Sequence, residues 1–121
     1  MTESEVQNQI LHYLTVKGLF VWRNNNTPIF DPTRKTFRSM PKYSLKGIAD
    51  ILGISPVGGK LLAIELKKPV KNPRSIEKLE ALLRPEQKEF ARMVRQWGGI
   101  FVVCDSLESL KNQLYLHGIY L

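Results

Sequence analysis

Residues 47–69 read GIADILGISPVGGKLLAIELKKP, two apolar runs joined by a Pro-Val-Gly-Gly turn, and each run carries an acid where the pattern calls for a hydrophobe. Apolar stretches of this length, bounded by glycine and proline, read as the strands of a β-hairpin. Asp50 and Glu65 interrupt them. A carboxylate in a buried strand is costly unless a cation meets it, so the identity of that cation bears on function.

Strand geometry sharpens the point. Glu65 and Lys67 are two residues apart and share a face, while Leu62, Ile64 and Leu66 take the other face toward the core. If the turn comprises residues 56–59, Ser55 pairs with Lys60 and Asp50 lies opposite Glu65. If Gly58-Gly59 alone form the turn, Asp50 shifts opposite Lys67. Both registers put all three side chains on one face. Two carboxylates so placed repel, and a hard divalent cation with oxygen ligands removes the conflict. Such an ion beside a lysine suits phosphodiester hydrolysis. The competing reading makes Glu65 and Lys67 a surface ion pair and Asp50 a turn acid near Gly47.

Outward from the hairpin, residues 4–17 form an amphipathic helix, with Ser4 as N-cap, Gln7 three residues on, and Val6, Ile10, Tyr13 and Leu14 on one face. Residues 19–23 are a short strand. Residues 24–47 then make a long loop with three prolines and three asparagines, in which Phe30, Phe37 and Tyr43 are expected to pin the chain to the core. Past the hairpin, KKPVKNPRS breaks the chain and SIEKLEALL is a short helix. A further helix starts at Pro85 and Glu86 and carries Gln87, Phe90, Val94 and Trp97 along one side. IFVVC is a strand, and a last helix spans about residues 106–117, capped by Asp105 or Ser106. This order predicts one α/β domain over residues 1–121: a mixed β-sheet with a central hairpin, flanked by helices. Both tryptophans, Trp22 and Trp97, are expected in the core, and His12 and His117 on the surface.

Composition narrows the classes. The 121 residues suffice for one core, and 43% of them are hydrophobic. No apolar run is long enough to cross a bilayer, and MTESEVQNQ is unlike a secretory signal, so the expectation is a cytoplasmic protein. A single cysteine, Cys104, excludes an internal disulfide and reads as a small buried hydrophobe. The net charge is +7. Seven basic residues and one acid lie between Lys17 and Lys46, and nine basic residues and four acids between Lys67 and Arg95, on either side of the acid-bearing strands. Such flanks attract a polyanion such as DNA. The candidate backbone contacts are Arg23, Arg34, Lys35, Arg38, Lys42 and Lys46, with Lys68, Lys71 and Arg74 after the hairpin.

An acid followed by Glu-x-Lys on the next strand resembles the PD-(D/E)xK nuclease superfamily, and the wording is closest to its VRR-NUC branch. KGIADILGI is similar to that family's K-G-x-x-D segment, IELKKP to its E-x-K strand, and LRPEQKEF to its S-P-E-Q helix start. The resemblance runs from about residue 3 to residue 104. It implies a restriction-endonuclease-like core in which Asp50, Glu65 and the Leu66 backbone carbonyl bind Mg²⁺ or Mn²⁺ and Lys67 positions the attacking water or stabilises the transition state. Gln87 would orient Lys67 or the metal water. Glu5 matches the acid of the first helix that approaches the metal, and would equally complement that helix's N-terminus. Stand-alone members imply a homodimer acting on branched DNA such as four-way junctions, within a bacterial cell or a phage-infected host. The chain departs from the family in the long link KPVKNPRSIEKLEALLR and in Arg84, where a small residue is usual. The rival from another class is a non-catalytic DNA-binding module using the same basic face, which would need neither acid.

Overall fold

The computed structural model describes residues 1–24, 30–37 and 43–121. Among these residues four helices, α1 (Glu3–Val16), α2 (Ile76–Ala81), α3 (Pro85–Gln96) and α4 (Leu107–Leu116), surround a four-stranded mixed sheet. Its strands are β1 (Phe20–Arg23), β4 (Ile51–Ile54), β5 (Leu61–Leu66) and β6 (Ile100–Cys104), in the order β1-β4-β5-β6. Two short strands, β2 (Phe30–Asp31) and β3 (Thr36–Phe37), form a separate antiparallel ribbon.

The central hairpin adopts the four-residue turn. Ile51 pairs with Ile64 and Ile54 with Leu61, and the Ser55 amide donates to the Lys60 carbonyl at 2.7 Å. Gly58 and Gly59 both have positive φ, +77° and +65°, which is why the turn ends on two glycines. That register sets Asp50 opposite Glu65. β4 begins only at Ile51, so Asp50 stands just before it. At its start the Leu66 amide donates to Asp50 Oδ2 at 2.8 Å, so a side chain takes the place of the next ladder carbonyl. β5 pairs with β6 in parallel, and α2 and α3 fill the crossover between them.

Alternation along the strands builds two cores. On one face Ile51, Leu62, Ile64 and Leu66 join Ile100, Val102 and Cys104 under Val6, Ile10 and Leu14 of α1 and Leu110 and Leu114 of α4. Cys104 is the buried small hydrophobe expected, and burial pushes its thiol pKa up. On the other face Ala63, Phe101 and Val103 meet Leu79 of α2, Leu83, and Ala91 and Val94 of α3. Both sides of β5 are therefore covered, and Glu65 sits inside the second layer at 4% exposure.

Several expectations are corrected. The first helix begins one residue earlier, at Glu3, with Thr2 rather than Ser4 as its cap: Thr2 Oγ1 accepts from the Glu5 amide and Glu5 returns a bond from the Thr2 amide, both 3.1 Å. A reciprocal pair whose acceptor is a charged carboxylate suits a helix N-terminus better than the Ser4–Gln7 pair. The long loop contains the β2–β3 ribbon, turning through residues 32–35 with Lys35 at φ +54°. Tyr43 does not pin that segment, since it has φ +68° and is 90% exposed. Neither tryptophan is core. Trp97 is the C-cap of α3, where the backbone has left helical geometry, so the helical period no longer carries its side chain inward; it is 79% exposed. Trp22 lies on edge strand β1 with its ring 5.2 Å from that of Phe20, and is 39% exposed. His12 and His117 are exposed as expected, and Ser106 is the cap of α4.

Candidate metal centre

Four side chains converge where β4 begins and β5 ends. Asp50 is fixed by the Leu66 amide, and Glu65 descends from β5 onto the same face. Lys67 follows just past the strand end, its amide held by the Cys104 carbonyl at 2.9 Å. Gln87, in the first turn of α3, joins them. Its Oε1 accepts from Lys67 Nζ and from the Arg84 amide, both 2.9 Å, while its Nε2 donates to Glu65 Oε1 at 2.9 Å. Two donors on the oxygen side fix which end of the amide is which, so the NH₂ group has to face the carboxylate. Gln87 thus caps its own helix and holds Glu65 and Lys67 in register. It is 5% exposed.

Gly47 explains why α3 can come so close. With φ +74°, it sits directly against the first turn of that helix, where an added Cβ would fall 2.4 Å from the Glu86 carbonyl oxygen. Any side chain here would push Gln87 away from Glu65.

The electrostatics of Glu65 are unusual for a carboxylate. Burial, then the charge of Asp50, push its pKa up to about 8 against the opposing pull of Lys67. Its Oε2 is buried with no hydrogen-bond partner among the described residues. A carboxyl oxygen withdrawn from water and left bare next to a second carboxylate is a place a cation would stabilise. Among the described residues no cluster of three or more Asp, Glu, His or Cys side chains is gathered, so the protein offers two carboxylates and neighbouring carbonyls. That donor set fits Mg²⁺ or Mn²⁺: hard oxygens, few of them, with room for the water these ions retain. The room is a cleft of about 330 Å³ lined by Asp50, Glu65 and Gln87, by Leu45, Lys46, Gly47 and Ile48, and by Arg84 and Glu86.

Other candidates lie elsewhere. Glu5 is exposed and bonded to Thr2; the helix-capping role lowers its pKa, and it is not brought to the carboxylate pair. Arg23 bonds Asn8 of α1 and pairs through the backbone with Ile51, which places it on the opposite face of the sheet. Arg74 is committed to Asp105, 3.0 Å away, and to the Lys68 carbonyl at 2.6 Å, so it braces the chain after β5 against the end of β6. Lys68 and Lys71 are exposed beside it, and Arg34 and Lys35 are exposed on the turn of the β2–β3 ribbon. Arg38 and Lys42 lie outside the described residues. Of the basic candidates, Lys46 lines the cleft.

Sequence reasoning did not assign Arg84 and Glu86 to the site. The available signal was an arginine at a helix N-cap, a position that favours Ser, Thr, Asp or Asn. No protein-family model matches the chain, and no curated protein matches it.

Proposed function

We propose that the chain is a metal-dependent DNA endonuclease of the VRR-NUC type, with a restriction-endonuclease-like core, hydrolysing phosphodiester bonds. The observation that carries this reading is the pairing of a half-buried Asp50 with a buried Glu65, one of whose carboxyl oxygens is bare, held beside Lys67 by Gln87. Asp50, Glu65 and the Leu66 carbonyl would hold Mg²⁺ or Mn²⁺. When bound, that ion supplies charge to polarise the phosphate and acidify the attacking water.

The chain's own groups do the rest. Lys67 presents an ammonium next to the pair, where it orients the water and offsets negative charge developing on the phosphate. Gln87 keeps that ammonium from collapsing onto Glu65 by standing between them as acceptor to one and donor to the other. Asp50, anchored through the Leu66 amide, fixes the second carboxylate without needing a further side chain. The net charge of +7 and the cations near the cleft favour a polyanionic substrate.

The same proposal extends to branched DNA, including four-way junctions, and to a homodimer that would offer two such sites to two strands. The exposed Tyr115, Leu116 and Tyr120 supply apolar surface for a second copy, while Ile119 packs into its own domain. No helix among the described residues is long and apolar enough to cross a membrane.

Cleavage of labelled four-way junction, duplex and single-stranded DNA in Mg²⁺, Mn²⁺ or EDTA tests this directly. Cutting should require metal and fall by about a thousandfold or more in Glu65→Gln and Lys67→Ala. Salt-sensitive binding with no cutting in any metal, unchanged by Glu65→Gln, would favour a non-catalytic DNA-binding module instead.

A further inference from the structure

Arg84 occupies the N-cap of α3 yet has no atom able to accept an amide hydrogen, so capping falls to Gln87, and the arginine side chain is left free of that duty. Arg84 lines the cleft that holds the carboxylate pair, as does Lys46, and its side chain is largely exposed. Its counter-ion is Glu86, through a 3.3 Å contact in which the two side chains keep 69% and 41% of their exposure. An ion pair that wet is weakly held and easily exchanged. Below it the N-terminal end of α3 adds a favourable field for an anion. Glu65, whose buried Oε2 has no partner among the described residues, lines the same cleft.

We infer that Arg84 and Lys46 clamp a backbone phosphate of the nucleic-acid strand entering the cleft, and that Glu86 is the displaceable counter-ion holding the Arg84 guanidinium until phosphate replaces it. This rests on the nuclease reading, which it deepens by naming the groups that seat the strand. Charge and shape both favour the assignment. A planar guanidinium matches two phosphate oxygens at once, whereas Lys46 adds a point charge. Arg84 and Lys46 are exposed whereas Glu65 is buried, so an approaching strand meets the two cations before it meets that carboxylate. Glu86 has a second consequence: a carboxylate beside Arg84 opposes loose, non-specific phosphate contacts, so a strand must displace it to be seated.

The test is fluorescence anisotropy of full-length protein with labelled four-way junction and duplex DNA in Ca²⁺, across a range of KCl concentrations, with gels confirming the DNA stays intact. Arg84→Ala should weaken binding roughly tenfold and reduce the slope of log affinity against log salt by about one, the signature of one lost phosphate contact. Arg84→Lys should restore the slope and only part of the affinity. Glu86→Gln should tighten binding about two- to threefold, and this gain should vanish when Arg84 is alanine. An unchanged salt slope in Arg84→Ala, or weaker binding by Glu86→Gln, would overturn the clamp. In Mg²⁺, a raised KM with kcat nearly unchanged in Arg84→Ala supports it. The two readings fail separately. A wild type that never cuts, but whose salt slope still depends on Arg84, keeps the clamp and loses the nuclease. A wild type that cuts, with Arg84→Ala indistinguishable in slope and KM, keeps the nuclease and loses the clamp.

Discussion

The two faces of the sheet are built to opposite rules. Under α1 and α4 every inward position of β4, β5 and β6 is apolar or glycine, and the layer is closed from Ile51 to Cys104. Under α2 and α3 the layer is apolar only as far as Ala63, Phe101 and Val103, then changes to Glu65, Asp50 and Gln87 at one end. It also stops short of β1, where Phe20 and Trp22 face outward at 69% and 39% exposure. The closed face has nothing to gain from a polar group. The interrupted face accepts a bare carboxyl oxygen and a repelling pair of acids, an arrangement that lowers stability and that packing alone does not require. The difference teaches where stability and chemistry are separated in a small domain: β5 serves both, with alternate residues assigned to each.

Breaking the closed face should therefore harm folding more than any change on the other. Ile64→Ala deletes a side chain with no exposure from the middle of β5 and should cost about 3–4 kcal/mol in urea unfolding. A loss below about 1 kcal/mol would mean that α1 and α4 do not pack tightly on the sheet.

The interrupted face should respond in the opposite sense. Glu65 has its pKa raised to about 8 from an ordinary 4.5. Below about pH 4.5 the folded and unfolded chains both carry the proton. Between there and about pH 8 the unfolded chain loses it while the folded chain retains it, so stability falls as pH rises through this window and levels off above it. Glu65→Gln mimics the protonated acid in shape and hydrogen bonding. It should leave stability near pH 4 unchanged and raise it near pH 9 by on the order of 2 kcal/mol, less than the full shift implies because water reaches the cleft. Mg²⁺ should then raise the melting temperature of the wild type and not of the variant. A wild type with flat stability from pH 5 to pH 8 would show that Glu65 is not held as described.

Much of this contrast was legible in the hairpin itself. The glycine turn, the shared face of Asp50, Glu65 and Lys67 and the inward set Leu62, Ile64 and Leu66 follow from period-two alternation, a local property. The choice between the two possible registers is made only by the folded turn, which sets Asp50 opposite Glu65. What depended on distant chain was not legible. Arg74 finds Asp105 31 residues away and becomes a brace rather than a surface contact. Gln87 was linked to Lys67, 20 residues back, only through the family resemblance, and its second bond, to Glu65 22 residues back, went unread because it exists only after Gly47 lets α3 approach. Glu5 was read with two roles because a first-turn acid serves either; Thr2 supplies the nearer partner. The β2–β3 ribbon escaped notice because two-residue strands are too short to show a period.

Trp97 gives the smallest effect and the finest test of where the second layer ends. Helical spacing from Phe90 and Val94 places it in line with the core, and a buried tryptophan there would cost about 3–5 kcal/mol on truncation. The structure instead leaves it 79% exposed beside an apolar hollow of about 430 Å³ shared with Leu45, Leu61, Phe90 and Met93. Trp97→Ser should accordingly change the unfolding free energy by less than about 0.5 kcal/mol. Its removal should also take away the more water-exposed, red-shifted part of the fluorescence, leaving the emission of the less exposed Trp22. A large loss of stability would extend the covered layer over the hollow and erase half of the asymmetry between the faces. A small one fixes the boundary at Val94, with the apolar surface beyond it exposed to solvent in the isolated chain.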